Sequence, residues 1–333
     1  MPPRVSIITL NWNGLAHTIE CLESLKKITY ANYEVIVVDN GSEGDDVTAL
    51  KGRYGDYIHI IENDRNYGFA KGNNIGIKYA SENFDPQYFL LLNNDTIVDP
   101  EFLTELTKVA VTDERIGSCQ SKILSLKDPK TIDAIGINII RKPNLWAVIF
   151  YPTFFLPGCP YQIGYGDRDE GQHNQILELF GAVACSALYK REMLDQIGLF
   201  DEDFFAYYED VDLAWRARLF GWKCLYVPTS LVYHHSSATG GSIKLYYLAR
   251  NQTYYVLKNA PLDLVFSHMI RLMLSIPMTI ICGLKRRDYK NMLKMLKGKL
   301  DIFGSVPKML KKRRKLQSAR LVPDSEITRW WFG

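Results

Sequence analysis

What most limits how this chain can fold is an alternation in its amino-terminal third: short apolar runs alternate with helical repeats, and each run leads into asparagine and aspartate. Residues 5–10 (VSIITL), 33–38 (YEVIVV), 58–62 (IHIIE) and 88–92 (YFLLL) are rich in β-branched and aromatic side chains, the pattern of strands buried on both faces. Between them, Leu15, Ile19, Leu22 and Leu25 mark a helix over 15–28, and residues 70–80 and 100–111 repeat the same period. Such alternation predicts an α/β domain with a mainly parallel, doubly wound central sheet flanked by helices. Ligands of these sheets sit beyond the carboxyl ends of the strands. At those ends stand Asn11-Trp12-Asn13-Gly14, Asp39-Asn40-Gly41-Ser42, Asn63-Asp64-Arg65-Asn66 and Asn93-Asn94-Asp95, which predicts one polar crevice.

Periodicity weakens over 125–178, a stretch holding Pro143, Pro152, Pro157 and Pro160, and a long excursion over the acceptor side is expected there. Regular pattern returns as a buried strand over Phe180–Tyr189, a helix over Arg191–Ile197, a helix over Val211–Phe220 closed by Gly221, and a strand over Lys223–Val227. An aromatic helix follows over Lys244–Leu257. We read residues 1–260 as a catalytic domain, with about 1–124 as its nucleotide-binding half and 125–260 as its acceptor half, and 261–333 as a helical basic tail.

A chain of 333 residues with 47% hydrophobic composition can bury a large core. Its six cysteines contain no C-x-x-C pair, which excludes a zinc ribbon or a dense disulfide framework and fits a reducing compartment. Met1–Arg4 runs straight into the first strand with no room for a signal sequence, so a cytoplasmic placement is expected. The net charge of +3 hides an asymmetry: between Arg271 and Arg320, fifteen Lys or Arg face two acids, a balance of +13 that leaves the rest at −10.

Within 264–284, His268, Arg271 and Pro277 interrupt an apolar stretch and leave a clean run of thirteen residues, Leu272–Leu284. A bilayer span needs roughly twenty. The tail is therefore expected to lie peripherally on the inner face of the membrane, with Lys285-Arg286-Arg287 and Lys311–Lys315 against anionic lipid. Packing on the body or on a second subunit is the alternative, and helix 244–257 with the tail could make a homodimer contact. No RNA- or DNA-binding module accompanies the basic charge, so nucleic acid is not an expected partner.

Five local patterns carry chemistry. Asn66–Gly76 (NYGFAKGNNIG) sets glycines, amides and Lys71 before a helix amino end, either a nucleotide cradle or a turn with Asn caps; it lacks the P-loop and G-x-G-x-x-G spacings. Asp95 ends an apolar strand, where Mg²⁺ or Mn²⁺ could bridge a carboxylate to a diphosphate and where an Asx turn is the bland alternative. Glu209, Asp210 and Asp212 crowd a helix start, so that mutual repulsion can raise one pKa and suit it to general-base work, although a helix N-cap explains one of them equally well. His234 offers an imidazole as a supplementary metal ligand, and Arg250 beside Asn251 offers a guanidinium to a diphosphate.

Taken in order and spacing, VSIITLNWNG (5–14), VIVVDNGS (35–42), NYGFAKGNNIG (66–76), FLLLNNDTIVDP (89–100) and IGLFDEDFFAYYEDVDLAWRARLFGW (197–222) closely resemble family 2 glycosyltransferases, especially the bacterial rhamnosyltransferase-like branch with a GT-A fold. The likeness covers about 250 residues and leaves out the tail. It implies that Thr9, Asn11, Asp39, Asn66 and Asn73 line the nucleotide site and that Asn94 and Asp95 occupy the metal and diphosphate position. Asn93 supplies no carboxylate there, a departure from Asp-x-Asp. Glu209 and Asp210 fall on the family's Glu-Asp position, with Asp210 as the base of an inverting displacement. The resemblance further implies a nucleotide-diphosphate sugar donor, dTDP-rhamnose among them, and a glycan or lipid-linked acceptor in cell-surface polysaccharide synthesis. A nucleotidyltransferase would want a glycine-rich basic loop where Asn11-Trp12-Asn13-Gly14 stands. A noncatalytic carbohydrate-binding protein would not need Asp95 together with Glu209 and Asp210.

Overall fold

A computed structural model describes residues 2–140, 159–235 and 241–332. The four apolar runs are strands separated by helices: β1 (Val5–Asn11), α1 (Leu15–Leu25), β2 (Tyr33–Asp39), α2 (Asp46–Tyr54), β3 (His59–Glu62), α3 (Gly68–Asn83) and β4 (Tyr88–Leu92). Next come β5 (Thr96–Val98), α4 (Phe102–Ala110), β6 (Ile116–Ser125), β7 (Ile132–Ala134) and β8 (Ile137–Ile140). Next among the described residues lie β9 (Pro160–Gln162), β10 (Leu177–Leu179), β11 (Ser186–Lys190), α5 (Arg191–Ile197), α6 (Glu209–Leu219) and β12 (Lys223–His234). The chain ends in α7 (Gly241–Asn259), α8 (Leu262–Arg286), α9 (Tyr289–Ala319), α10 (Asp324–Thr328) and β13 (Trp331–Phe332). The expectations placed on Pro143, Pro152 and Pro157 lie outside the described residues.

The chain divides into two discontinuous units. The first comprises Met1–Ile137, Gln162–Phe205 and Trp222–Ser237. Its sheet runs β10-β12-β6-β11-β4-β1-β2-β3, with β5 paired to β12 and β7 to β6. Strands β4, β1, β2 and β3 are parallel, and their register sets Asn11 beside Asp39 and Asp39 beside Glu62, so the polar strand ends are level.

The sheet is mixed rather than mainly parallel. β11 enters antiparallel between β4 and β6, and β12 runs parallel to β6 but antiparallel to β10 and β5. Apolar pattern records burial, not strand direction, so the sequence could not distinguish these pairings. β3, expected to be buried on both faces, is an edge strand and only partly covered. The strand expected over Phe180–Tyr189 begins only at Ser186, while the one expected to stop at Val227 continues to His234 across an irregularity between Val227 and Leu231. Pro228 falls inside that irregularity, where a missing backbone N–H costs no ladder bond. The continuation matters because it delivers His234 opposite Thr96 and Ser125.

One face of this sheet buries Ile7, Val35, Val37 and Leu90 against Leu22, Leu50, Phe102 and Leu106 of the helices. Each side chain of that size, when fully buried, contributes roughly 1.5–3 kcal/mol. On the other face α3 lies so close that a Cβ at Gly76 would meet Ile8 Cγ2 at 2.6 Å and Val38 Cγ2 at 3.1 Å.

The second unit comprises Asn138–Tyr161, Ala206–Gly221 and Ala238–Gly333, and holds α6 with the carboxyl-terminal helices. A small sheet ordered β13-β8-β9 accompanies them. α8 spans 25 residues and is long and apolar enough to cross a membrane by length and composition, more than the thirteen-residue run suggested. The interruptions do not end it: His268 is buried against the Thr253 hydroxyl at 2.9 Å, and Pro277 sits inside the helix. Lys299 of α9 is buried along α8, where its ammonium donates to Ser275 Oγ and Thr279 Oγ1, both at 2.8 Å.

Gly76→Val should lower stability by about 1–3 kcal/mol, the range for overpacking a filled interior. Urea unfolding should show a reduced midpoint with an unchanged slope, and an unmoved midpoint would contradict the close seating of α3 on β1 and β2.

Candidate active site

In the first unit, an open cavity of about 720 Å³ lies at the ends of β2 and β3, with Trp12, Asp39, Ser42, Lys51, Arg65 and Asn66 in its wall. Gly41 passes it with φ of +76°, and a Cβ there would strike Arg65 Cα at 2.5 Å, so this turn needs glycine twice over. Asp39 is held by the Ser42 backbone N–H at 2.9 Å and by the Asn11 amide at 2.8 Å. The buried Asn11 amide also reaches Ser42 Oγ at 3.1 Å and Asp46 Oδ2 at 2.9 Å. Thr18 Oγ1 donates to Asn11 Oδ1 at 2.8 Å and accepts from the Asn94 amide at 2.9 Å. One hydrogen-bonded line thus runs Asn94, Thr18, Asn11, Asp39.

Asn40 organises the neighbouring wall. Its Oδ1 accepts from Tyr67 N and Asn63 Nδ2, each at 3.1 Å, and its amide donates to Asn66 Oδ1 and Gly68 O, each at 3.1 Å. Asn40 and Ser42 belong to a strand-end cluster marked by the sequence, without individual roles there, whereas Thr18 on α1 carries no such mark. Thr9 and Asn73 do not line the cavity as expected. Thr9 is buried within β1, its hydroxyl without a hydrogen-bond partner among the described residues, and the Asn73 amide turns back on Phe69 O at 2.9 Å inside α3. Strand alternation turns one inward, and helical back-bonding satisfies the other locally.

Asp95 follows β4, and β12 brings His234 to it. His234 Nε2 lies 3.1 Å from Asp95 Oδ1 and its Nδ1 lies 2.7 Å from Asp133 Oδ2. The His235 backbone N–H donates to Asp95 O at 2.9 Å. Burial works against charge on the His234 ring, but the Cys185 sulfur and the Asp133 and Asp95 carboxylates outweigh it and hold its pKa above the ordinary histidine range. Asp133 gave no sequence signal, lying in the aperiodic excursion. Asp133 meets the far side of the ring, so it orients His234 from outside, while Asp95 and His234 Nε2 face each other as the pair that could hold Mn²⁺ or Mg²⁺, with diphosphate oxygens completing the coordination. Asn94 is tied to Thr18 beside this corner.

In the second unit the three acids at the start of α6 differ in state. Asp212 is fully buried: its Oδ2 accepts from Arg216 Nε at 2.9 Å and Lys258 Nζ at 2.8 Å, and its Oδ1 accepts from Asn259 Nδ2 at 2.8 Å. That carboxylate fastens α6 to α7. Glu209 is buried with Oε2 lacking a hydrogen-bond partner among the described residues, and burial, then the Asp210 charge, push its carboxyl well above the usual range. Asp210 is partly exposed, and its Oδ1 accepts from Val211 N at 2.8 Å.

Before these acids, Tyr207 and Tyr208 adopt φ of +69° and +70°, a left-handed conformation costing roughly 1–2 kcal/mol per non-glycine residue. The buried Asn251 amide offsets this cost by donating to Ala206 O at 2.9 Å and Tyr207 O at 2.7 Å. Arg250, expected at a diphosphate, donates from Nε to Asn251 Oδ1 at 2.9 Å and places its guanidinium over Tyr246, Tyr247 and Tyr254 at 4.9–5.3 Å.

A family profile described as Glycosyl transferase family 2 matches residues 6–198. The chain is 26% identical over 214 residues to the low-salt glycan biosynthesis hexosyltransferase Agl10 of Haloferax volcanii, covering 64% of this chain and 61% of that protein. It is 25% identical over 261 residues to the N-acetylglucosaminyl-diphospho-decaprenol L-rhamnosyltransferase of Mycobacterium tuberculosis, covering 75% and 82%. Among solved structures, the mannosyltransferase PcManGT of Pyrobaculum calidifontis with GDP-Man and Mn²⁺ superposes with a TM-score of 0.54 at 14% identity, over 96% of this chain and 86% of that one. GalNAc-T7 with UDP, GalNAc and Mn²⁺ gives 0.56 at 15% identity, over 81% and 54%. These likenesses show the GT-A fold.

Because folding raises the Glu209 pKa above its ordinary value of 4.5, the folded chain binds the extra proton above that pH. Stability contributed at this position should therefore fall as pH rises through and beyond about 4.5. Glu209→Gln should remove that dependence, so its gain in Tm over the parent should grow between pH 5 and pH 8. Absence of any gain at pH 8 in thermal melts would show that Glu209 is ionised in the fold.

Proposed function

The chain belongs to glycosyl transferase family 2, and on that footing we propose that it moves a sugar from a nucleotide-diphosphate donor to a hydroxyl group with inversion at the anomeric carbon. The observation that carries the reading is the hydrogen-bonded line from Asp39 in the cavity wall through Asn11 and Thr18 to Asn94, next to Asp95. It builds a nucleotide wall and a carboxylate–imidazole corner on one row of strand ends.

The exposed Trp12 indole offers a face on which a base can stack, and Asp39 offers lone pairs to a base or ribose donor. Asp95 and His234, the latter oriented by Asp133, would hold a divalent ion, which supplies the positive charge that a departing diphosphate needs. The Mn²⁺ bound by PcManGT and by GalNAc-T7 supports that choice of ion class. Asp210 takes the acceptor's proton as the acceptor oxygen bonds to the anomeric carbon and the diphosphate leaves with the bonding pair. Of the three neighbouring acids, Asp212 is engaged by Arg216 and Lys258, and burial with the Asp210 charge pushes the Glu209 carboxyl toward its neutral form, whereas Asp210 keeps a partly exposed carboxylate. The name of the mycobacterial relative supports a rhamnose donor and a lipid-linked saccharide as acceptor, and the family resemblance suggests dTDP as the nucleotide.

The tail suits a lipid-linked acceptor. α8 exposes Leu262, Phe266, Ile270, Leu274 and Ile281 at helical spacing. A spanning α8 would carry Lys299 of α9 into hydrocarbon, a costly position for an ammonium. Interfacial seating, with the basic residues of α9 toward anionic headgroups, avoids that cost.

Asp210→Asn should lower kcat by roughly 10²- to 10⁴-fold, while nucleoside diphosphates still raise Tm as they do for the parent. The check is steady-state kinetics with a panel of nucleotide sugars, with NMR of the product anomer; unimpaired turnover would remove Asp210 from the mechanism. Liposome flotation tests the tail. The protein should float with vesicles containing anionic lipid and be released by high salt, whereas failure to float with either anionic or zwitterionic vesicles would dismiss membrane seating.

A further inference from the structure

α1 and the end of β12 bring a second group of ligating side chains together in the first unit: His17, Glu20 and His235. His17 and Glu20 are three residues apart and so share one helix face. Glu20 Oε2 lies 2.8 Å from His235 Nε2 and 3.9 Å from His17 Nδ1, and the three ligand atoms all fall within 4.8 Å of one another. The two imidazole rings sit 4.5 Å apart, centroid to centroid. His17 Nδ1 is shielded from solvent and has no hydrogen-bond partner among the described residues. A buried polar atom left in that state costs free energy until something occupies its lone pair or proton.

We propose that His17, Glu20 and His235 bind one zinc-class divalent ion, at a site separate from the Asp95, His234 and Asp133 corner. Two nitrogens and one carboxylate oxygen match the ligand set of late first-row ions, and three protein ligands leave a fourth tetrahedral position for water. The Asp95 corner offers one carboxylate and one imidazole, with diphosphate oxygens to complete it, so without nucleotide the two-histidine group is the better zinc site. Zinc bonds of about 2.0–2.1 Å set tetrahedral ligand atoms roughly 3.3 Å apart. The Glu20–His235 contact would therefore open by about half an ångström and the His17 contact close by a similar amount, adjustments within side-chain reach. The ion ties α1 to the strand end whose His235 N–H holds the Asp95 carbonyl.

The test uses the full chain, stripped with a chelator and kept free of nucleotide. Zn²⁺ is titrated in competition with a chromophoric chelator, and Co²⁺ binding is followed by visible absorption. The proposal expects one Zn²⁺ per chain, tetrahedral Co²⁺ bands, and weakening on His17→Ala or His235→Ala beyond the roughly 10- to 100-fold that loss of an outer-shell partner costs. Asp95→Asn should bind Zn²⁺ as the parent does. Glu20→Gln, which keeps the side-chain shape, decides the matter if either histidine variant fails to fold by circular dichroism. No Zn²⁺ binding, undiminished binding in the folded variants, or loss on Asp95→Asn alone would each overturn the site.

Discussion

The polar strand ends of the first unit hang on the buried side chain of Asn11. Taken out of water at the end of β1, its amide must find partners within the protein, and it reaches Asp39, Ser42 and Asp46 while its carbonyl oxygen accepts from Thr18. A buried amide costs a few kcal/mol if left unpaired. The strand end can therefore adopt few arrangements, and the one it adopts orients the carboxylate that faces the cavity. An aliphatic residue in its place would take away the side-chain half of that hold and leave Asp39 with the Ser42 backbone N–H.

The second unit shows how burial differentiates like side chains. Glu209, Asp210 and Asp212 lie within four positions, yet two cations neutralise one, desolvation suppresses the charge of another, and the third keeps a partly open face. No property of the isolated carboxyl groups separates them. The division depends on α7, which supplies Lys258 and Asn259 to one acid and, through Asn251, holds the left-handed Tyr207 segment just ahead of all three.

Much of this was legible before any coordinates. The strands β1, β2 and β4 were readable to within a residue because burial on both faces leaves long apolar runs, and Asp39, Asn66 and Asp95 were readable as strand-end positions because each ends or follows such a run. The pairing of Asp95 with His234 was named, but its third member, Asp133, was not. It lies in a stretch without periodicity, where nothing local reports which surface a residue will meet. Thr9 and Asn73 illustrate the converse: a matching motif named them, while the phase of a strand and the back-bonding of a helix turned them inward.

The sequence by itself determined the alternation of elements, the identity of the strand-end residues, the family and the basic, apolar character of the tail, because periodicity, composition and order of motifs are one-dimensional properties. Tertiary structure alone decided strand direction at β11, the state of each acid near Glu209, the meeting of His234 with Asp133 and of His17 with His235, and the length of α8. Each of these depends on contacts between residues distant along the chain, where burial and partner, rather than residue type, set the free energy of a charge or a hydrogen bond.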